Sequence, residues 1–366
     1  MPLIETIAGP TEGGQFNARS FLEYLRKSAE HWWPNPQESA SPWVFRGHWD
    51  ANWKLQPTAG RDSIASLRGF AKLVNQSKRE VDESENWKKL SPNAQEVLAR
   101  KWAHFICLRS FLRLADELNF GVSMTDDYCF QEICGYHNFS ELIDRLGRSA
   151  ERGVVITHPN SHKGYNTTAL ALAQHHGIPT FLLDWTENPL AACYFATTKP
   201  DQIDAKDGLA VWALDSSALP LDSFTTGDRS YLQMQMCNPL KTQNTFLSTQ
   251  SGVFLESRNF ETTWIETGAF PDLETFVSRF EPSVARNAIQ EYSRHDSANG
   301  ANMLRRYDDW SSARVTILKK IVLATSELPE LRRLLIREGV TKAHMMPTLD
   351  NIASTAMTSL TYELEL

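Results

Sequence analysis

A cluster of polar residues between two apolar stretches offers groups suited to acid–base chemistry or ligand binding. It runs from Asp184 to Asn188 and contains two carboxylates, an indole, a hydroxyl and an amide. Asp184 can act as a base, orient a ribose hydroxyl or cap the following helix. Thr186 and Trp185 stay available to a ligand, and the indole can either stack on a base or nicotinamide or pack in the core.

The residues around this cluster predict a helix, a turn, a short strand and a second helix. The first helix ends at Gly177, which favours the left-handed conformation, and Pro179 follows where a helix cannot continue. The apolar run 181–183 is typical of a buried strand. Asn188 and Pro189 suit an N-cap and a first helical position. The cluster therefore lies at a helix N-terminus, which favours an anion or phosphate.

Two further side chains are predicted to face the cluster. Arg46 follows three apolar residues typical of a strand, and its guanidinium can bind a phosphate or carboxylate, or form an internal ion pair such as one with Asp184. His175 and His176 are adjacent in a helix and point about 100° apart, so at most one faces the site. We assign His175, as a hydrogen-bond donor or proton carrier. The alternative is that its ring ties the helix end to a backbone carbonyl.

Later in the chain, Gln250 and Glu256 are candidates for contact with the reacting atoms. Gln250 begins a predicted strand, and Gly252 two residues later permits close approach of a ligand or backbone. Glu256 is the nearest acidic residue that could stabilise positive charge on a ribose, and the alternative is a solvated surface glutamate. The two adjacent histidines have no third ligand at a recognisable spacing, so no metal is expected.

Composition limits the class of protein. The chain has 366 residues, 42% hydrophobic and 22% charged, enough for two domains or one large domain with an elaborated lobe. Its net charge of −7 means that a nucleic-acid partner would need a local basic site. Five scattered cysteines, no signal peptide and no long apolar run predict a soluble, cytoplasmic protein without a membrane partner.

The apolar pattern predicts an α+β fold with small mixed or antiparallel sheets flanked by helices and with a helical insertion. We assign an N-terminal helical segment to residues 1–40, a domain to residues 41–355 with the insertion at about 63–150, and a tail to residues 356–366. Further strands are predicted at 43–45, 154–156, 208–215, 252–255 and 320–323, and helices at 16–33, 63–120, 128–152, 274–309 and 327–339.

Separate blocks of the sequence resemble the FRG domain family. The first is Phe45-Arg46-Gly47, followed by Trp53, Leu55, Pro57 and Arg61. The second and most specific is Gln174 to Thr180, then Leu183-Asp184-Trp185-Thr186 and Pro189 to Ala196. The third is Gln250 to Phe254, with Phe246 where the family often has a basic residue. A closing segment has Leu349-Asp350-Asn351 for the family's Leu-Asp-Gly, with asparagine suited to a left-handed position.

The order of these motifs is also similar to that of ADP-ribosyltransferases of the Arg-Ser-Glu kind, whose first core strand carries an aromatic-Arg-Gly stretch. This pattern implies an ADP-ribosyltransferase-like fold with NAD as substrate. Arg46 would hold the pyrophosphate, and the other NAD-binding residues would be Gly47, Trp185 and Thr180. The catalytic groups would be Asp184 and Thr186 at the ribose or nicotinamide, Gln250 or Glu256 beside the anomeric carbon, and His175.

The predicted function is an NAD-dependent ADP-ribosyltransferase-like or otherwise NAD-consuming enzyme in phage defence or stress response, with a nucleic-acid base among the candidate acceptors. One alternative uses the same pocket to sense a nucleotide or nucleic acid without turnover. A second is a nucleic-acid hydrolase in which Asp184, Glu187 and His175 have acid–base or metal-binding roles.

Overall fold

The computed structural model describes residues 3–11, 13–33, 40–61, 67–120, 138–141, 143, 167–198, 208–218, 233–239, 241, 245–258, 260–278, 290, 304, 308 and 316–364. In this part of the chain, seven strands form one sheet in the order β1-β7-β4-β2-β3-β6-β5. The strands are β1 Ile4–Ile7, β2 Trp43–His48, β3 Leu182–Thr186, β4 Leu209–Asp215, β5 Gln233–Cys237, β6 Gly252–Arg258 and β7 Leu318–Leu323.

Helices surround this sheet. They are α1 Ala18–Leu25, α2 Arg68–Glu80, α3 Glu85–Lys88, α4 Pro92–Glu117, α5 Thr167–His175, α6 Pro189–Thr197, α7 Thr245–Thr249, α8 Phe260–Thr267, α9 Leu273–Ser278, α10 Leu328–Arg337, α11 Lys342–Met345 and α12 Leu349–Leu364. Strands β1 and β7 are parallel, and the other pairs are antiparallel. The predicted α+β class with a mixed sheet is confirmed, and the described strands join one sheet rather than several small ones.

Apolar residues cover both faces of the sheet. On one face, Phe45 of β2 packs in a core with residues of α1, α6 and α10, such as Phe21, Ala192 and Leu331. On the other face, Trp185 and Trp212 belong to a second core that includes residues of α9. Because successive side chains of a strand point to opposite faces, neighbouring residues of β2 and β3 enter different environments.

The predicted insertion is helical where the structure describes it. Ser91 caps helix α4, since its side chain accepts a hydrogen bond from the Ala94 N–H, and Pro92 is the first helical residue. In α4, Leu98 and Trp102 are buried in a core that also contains Phe70 and Val74 of α2. The predicted strand 154–156 and most of the predicted helix 128–152 lie outside the described residues. Of the predicted helix 274–309, the described part contains α9.

The predicted unit around the polar cluster is confirmed, with one extension. After α5, Gly177 has a φ of 84°, and its N–H donates to the carbonyl of Gln174 at 2.9 Å. Asn188 caps α6, since its side chain accepts from the Leu190 N–H at 3.0 Å. Strand β3 is longer than predicted, because it pairs with β6 as far as Thr186 opposite Gly252. Asp184 is therefore a strand residue, and the alternative in which it caps α6 is wrong, because the predicted cap Asn188 has that role.

Both ends of the described chain differ from the predictions. Residues 1–40 were expected to be helical, but Ile4–Ile7 form strand β1, which pairs with β7. At the other end, α12 runs across the predicted boundary at 355. Asn351 lies inside this helix and is not left-handed; its side-chain amide donates to the carbonyl of Met346 at 2.8 Å. None of the described helices combines the length and apolar character needed to cross a membrane.

Candidate functional site

Strands β2 and β3 separate at the place where Arg46 and Asp184 meet. Within these two described strands, a single register pair joins them, Phe45 opposite Thr186. Beyond that pair, Arg46 fills the gap between the strands. Its Nη1 donates to the Asp184 carbonyl oxygen at 2.6 Å and lies 3.4 Å from the Asp184 Oδ2. We call this place the β2–β3 split.

The Arg46 guanidinium is largely buried but only partly satisfied. Its side chain is 14% exposed, whereas that of its carboxylate partner Asp184 is 58% exposed. Burial lowers the pKa of Arg46, and Asp184 opposes this effect. Besides the bonds to Asp184, Nε donates to the Nε2 of His48 at 3.0 Å, and Nη2 makes no hydrogen bond with a described residue. Nη2 is therefore available to an oxygen ligand.

His48 is a buried, neutral neighbour of Arg46. Burial lowers its pKa well below the usual value, and the charges of Arg46 and Arg61 lower it further. Because the Nε2 of His48 accepts a hydrogen bond from Arg46, the ring proton must reside on Nδ1. His48 therefore supports Arg46 without adding or removing charge near pH 7.

A chain of hydrogen bonds orients the Asp184 carboxylate. The Gln174 amide nitrogen donates to the Asp184 Oδ1, and the Thr180 hydroxyl donates to the Gln174 Oε1. Thr180 in turn accepts from the Leu182 N–H at 3.2 Å. Thr180, predicted to bind NAD, is 0% exposed and instead fixes the orientation of Gln174. Our site prediction omitted Gln174, although it is part of the motif that drew attention to His175.

Arg61 is a second cation beside the split, and the sequence motifs included it without assigning it a role. Its guanidinium lies over the ring of Trp53, 5.6 Å from the centroid. Burial lowers the pKa of Arg61, the charge of Arg46 adds to the effect, and Asp184 opposes it. Two guanidinium groups thus lie within electrostatic reach of one half-exposed carboxylate, an arrangement that favours an anion.

The three residues of the Phe-Arg-Gly motif have three different roles. Phe45 is buried in the core on the α6 side, and Arg46 fills the β2–β3 split. Gly47 lies under α6, where a Cβ atom would come within 1.9 Å of the Ala192 carbonyl oxygen. The missing side chain of Gly47 thus permits close packing of the helix on the strand, a packing role in place of the NAD contact that we predicted.

The Trp185 indole packs in the core rather than forming part of an open site. Trp185 is 3% exposed and belongs to the apolar cluster that also contains Leu183 and Val253. Its neighbour Asp184 points to the other face of the strand, toward solvent. Trp185 therefore cannot stack on a nicotinamide in this arrangement, and the core alternative holds.

Thr186 and Gln250 connect the sheet to its surroundings. The Thr186 hydroxyl donates to the carbonyl oxygen of Gln250 at 2.5 Å and accepts from the Asn188 N–H at 2.9 Å. Gln250 is predicted to begin a strand, but it lies in the turn between α7 and β6, where Ser251 has a φ of 48°. Its amide donates to the carbonyl of Met345 at 3.0 Å. Both functional groups are thus engaged within the protein.

Glu256 is inside the protein, so its interpretation as a solvated surface residue is wrong. It lies on β6 opposite Leu182 and is 7% exposed. The Cys237 thiol donates to its Oε2 over a distance of 3.8 Å. The pairing of β6 with both β3 and β5 places this carboxylate in the interior of the sheet.

His175 lies at the end of α5 close to Asp184. Its ring stacks on Phe246, with centroids 4.4 Å apart and an interplanar angle of 26°. Burial lowers the pKa of His175, His176 adds to this, and the Asp184 carboxylate opposes it. The residue that departs from the family pattern, Phe246, is thus the stacking partner of the predicted proton carrier.

Glu187, assigned a role in the hydrolase alternative, pairs with a surface cation. Its Oε2 lies 3.7 Å from the Nζ of Lys241. Within the part of the chain that the structure describes, no group of three or more histidine, cysteine, aspartate or glutamate side chains is arranged to hold a metal ion.

One region of the chain matches a known protein family. The model of the FRG domain matches residues 132–205, so the predicted resemblance to this family is confirmed. The matched region contains α5, β3 and α6, and thus Gln174, Thr180 and Asp184, whereas Arg46 and Arg61 precede it. Comparisons with curated proteins and with solved structures gave no match.

Proposed function

We propose that this chain, which contains an FRG domain, binds a nucleotide at the β2–β3 split and consumes NAD there. The observation that carries the proposal is the contact of Arg46 with Asp184 in the gap between two strands. A largely buried guanidinium with a donor left over is suited to an oxyanion. The half-exposed carboxylate beside it is suited to a ribose.

Electrostatics favour a phosphate ligand at this place. Burial lowers the pKa of Arg61 and the charge of Arg46 lowers it further, and Asp184 is the carboxylate that opposes the lowered pKa of both arginines. A diphosphate would supply the missing negative charge, with bidentate hydrogen bonds to the guanidinium groups. This local excess of positive charge contrasts with the chain's net charge of −7.

Asp184 is the group that we assign to the chemical step. Cleavage of NAD breaks the bond between the ribose anomeric carbon and the nicotinamide nitrogen, and nicotinamide leaves with the bonding electrons. The carboxylate would stabilise the positive charge that develops on the ribose. Water or a nucleophilic atom of an acceptor, such as a nucleic-acid base, then bonds to that carbon and releases its proton through Asp184 or His175. Phage defence or a stress response is the setting we propose.

The test is to measure nicotinamide release from NAD by mass spectrometry and NAD binding by calorimetry. Asp184→Asn should lower release at least about 100-fold while changing the dissociation constant by less than about threefold, because it removes a charge needed mainly in the transition state. Arg46→Gln should weaken binding about tenfold or more. Glu187→Gln is the matched control and should match the wild type. No heat and no nicotinamide with any acceptor would end the proposal.

Binding without turnover is the second candidate function. Of the five predicted catalytic residues, Thr186 and Gln250 have their functional groups engaged and Glu256 is buried. This arrangement favours a sensor in which the split only holds the nucleotide. It predicts that NAD raises the melting temperature without nicotinamide release, and that binding survives Asp184→Asn. Cleavage of labelled DNA or RNA that a chelator abolishes would favour the hydrolase alternative instead.

A further inference from the structure

Trp53 is an exposed aromatic side chain beside the split. It is 38% exposed, although it lies among buried neighbours such as His48 and Trp49. The centroid of its ring is 4.4 Å from that of Trp49 and 6.0 Å from that of His48. Both contacts are T-shaped, so neither ring stacks parallel to the indole, and an indole that still reaches solvent can stack on a flat ligand.

Trp53 is connected to the charged groups of the split by a continuous set of contacts. His48 accepts a hydrogen bond from Arg46, its ring packs on Trp53, and Trp53 lies under the Arg61 guanidinium. Beyond the effect of burial, the charge of Arg46 lowers the pKa of Arg61 and that of Asp184 raises it, so Arg61 lies within electrostatic reach of both groups. One ligand of modest size can therefore reach the indole and both guanidinium groups.

Arg61 is held in place by residues from two other parts of the chain. Arg100 of α4 donates to the Arg61 carbonyl oxygen at 2.6 Å. The N–H of Ala59, two residues earlier, donates to the Thr180 carbonyl at 3.0 Å. Because this loop is already fixed, little conformational entropy is lost when the Arg61 side chain binds a ligand.

We infer that Trp53 and Arg61 form the recognition half of the site, which takes a purine nucleoside diphosphate group. The purine stacks on the Trp53 indole, and the diphosphate lies between Arg61 and Arg46. A bicyclic purine covers more of the indole than a pyrimidine does, and two phosphates match two guanidinium groups. This inference rests on the proposed function and specifies which part of NAD, its ADP group, is bound by which residues.

The test uses ADP, UDP and inorganic pyrophosphate as probes, with dissociation constants from calorimetry and quenching of tryptophan fluorescence. The wild type should bind ADP more tightly than UDP. Trp53→Leu should weaken ADP binding about tenfold through lost stacking, with pyrophosphate affinity unchanged within about twofold. Trp53→Phe should retain most of the ADP affinity. Arg61→Gln should weaken ADP and pyrophosphate alike, and the exposed Arg113→Gln is its matched control.

Pyrophosphate binding also reports whether the Trp53 variants are folded, so a loss of ADP affinity alone cannot come from unfolding. Unchanged ADP affinity in Trp53→Leu, or equal affinities of the wild type for ADP and UDP, would overturn the inference. The outcome is separable from that of the proposed function. ADP binding that depends on Trp53, together with no release of nicotinamide from NAD, would support the inference and remove NAD consumption. Nicotinamide release that is unaffected by Trp53→Leu would support NAD consumption and overturn the inference about Trp53.

Discussion

Two buried arginines have different surroundings: Arg100 lies in the helical layer formed by α2 and α4, and Arg46 lies in the β2–β3 split. Arg100 is 6% exposed and bonds to Glu96 and to the carbonyl oxygens of Ala59 and Arg61, with its guanidinium 5.0 Å from the ring centroid of Trp264. Arg46 has a half-exposed carboxylate, one carbonyl and a neutral histidine.

The difference separates an arginine that builds structure from one that is prepared for a ligand. In the described residues both guanidinium groups bond through Nε and Nη1, but the carboxylate partner of Arg100 is 26% exposed, whereas that of Arg46 is 58% exposed. A buried guanidinium whose carboxylate partner is open to solvent, and which lies near a second cation, is stabilised by an anion from solution. The helical layer therefore supports the site by holding the Arg61 loop, while the split offers the binding groups.

The largest expected effect is the loss of Arg100. Arg100→Met leaves two buried carbonyl oxygens without this donor and Glu96 with Lys78 as its remaining cation, so the free energy of unfolding should fall by about 3–5 kcal/mol. Arg46→Met should cost only about 1 kcal/mol, because water can replace it at Asp184. Urea denaturation measures both, with Arg113→Met as the exposed control. Equal losses for Arg100 and Arg46 would break the comparison.

The next effect concerns the packing beneath the split. Gly47→Ala should lower the free energy of unfolding by about 3 kcal/mol, since the new Cβ would overlap the α6 backbone and force the helix away. Gly69→Ala is the matched control: it lies in α2 with open space around it, and should be neutral or stabilising by up to about 1 kcal/mol. If Gly47→Ala were as stable as the wild type, α6 would not pack against β2 this closely.

Acid should weaken the helical layer through His104. Burial, with a contribution from Lys101, lowers the pKa of this residue from 6.5 to about 4. The folded state binds the His104 proton less tightly than the unfolded state does. The stability that neutral His104 contributes is therefore complete above about pH 6.5 and is lost as the pH falls toward about 4. The loss should be about 3 kcal/mol. Denaturation at several pH values should show a shallower dependence in His104→Gln, and an identical dependence would contradict the assignment.

The smallest effect tests the hydrogen bonds that orient Asp184. Thr180→Val removes the hydroxyl that donates to Gln174 and accepts from Leu182, so the free energy of unfolding should fall by about 1–2 kcal/mol. Release of Gln174 should also slow any NAD turnover several-fold. Thr198→Val, at an exposed threonine after α6, is the control and should stay within about 0.5 kcal/mol of the wild type. Turnover unchanged in Thr180→Val would show that Gln174 does not position the carboxylate.

Predictions about local structure succeeded where neighbouring residues decide the outcome. The end of α5 at Gly177 and the start of α6 at Asn188 and Pro189 follow from conformational preferences and capping bonds within a few residues. The prediction that β3 ends before Asp184 failed, because the length of this strand depends on the pairing with β6. Asn351 failed for a similar reason: it suits a left-handed position, but the surrounding residues continue as a helix.

The location of the candidate site was predictable from the sequence, but the full set of residues that form it was not. Arg46 and Asp184 were identified from residue type, and their ion pair was among the stated alternatives. Thr180 and Glu256 could not be judged from spacing, since burial depends on what packs against them. Arg61 and Gln174 had a visible signal, as both belong to the resembling motifs. Assigning every polar residue of these motifs to the site would have included both Arg61 and Gln174.

The sequence by itself determined the local units, namely the helix ends, the alternation along β2 and β3, and the motifs that resemble the FRG domain. Those features depend on the stereochemistry of adjacent residues, which the order of amino acids states directly. The tertiary structure alone decided that β2 and β3 separate beyond Phe45 and Thr186, that Trp185 is enclosed while Asp184 is open, and that Arg61 joins Arg46. Those features depend on contacts between distant segments, whose geometry exists only once the sheet and its helices have assembled.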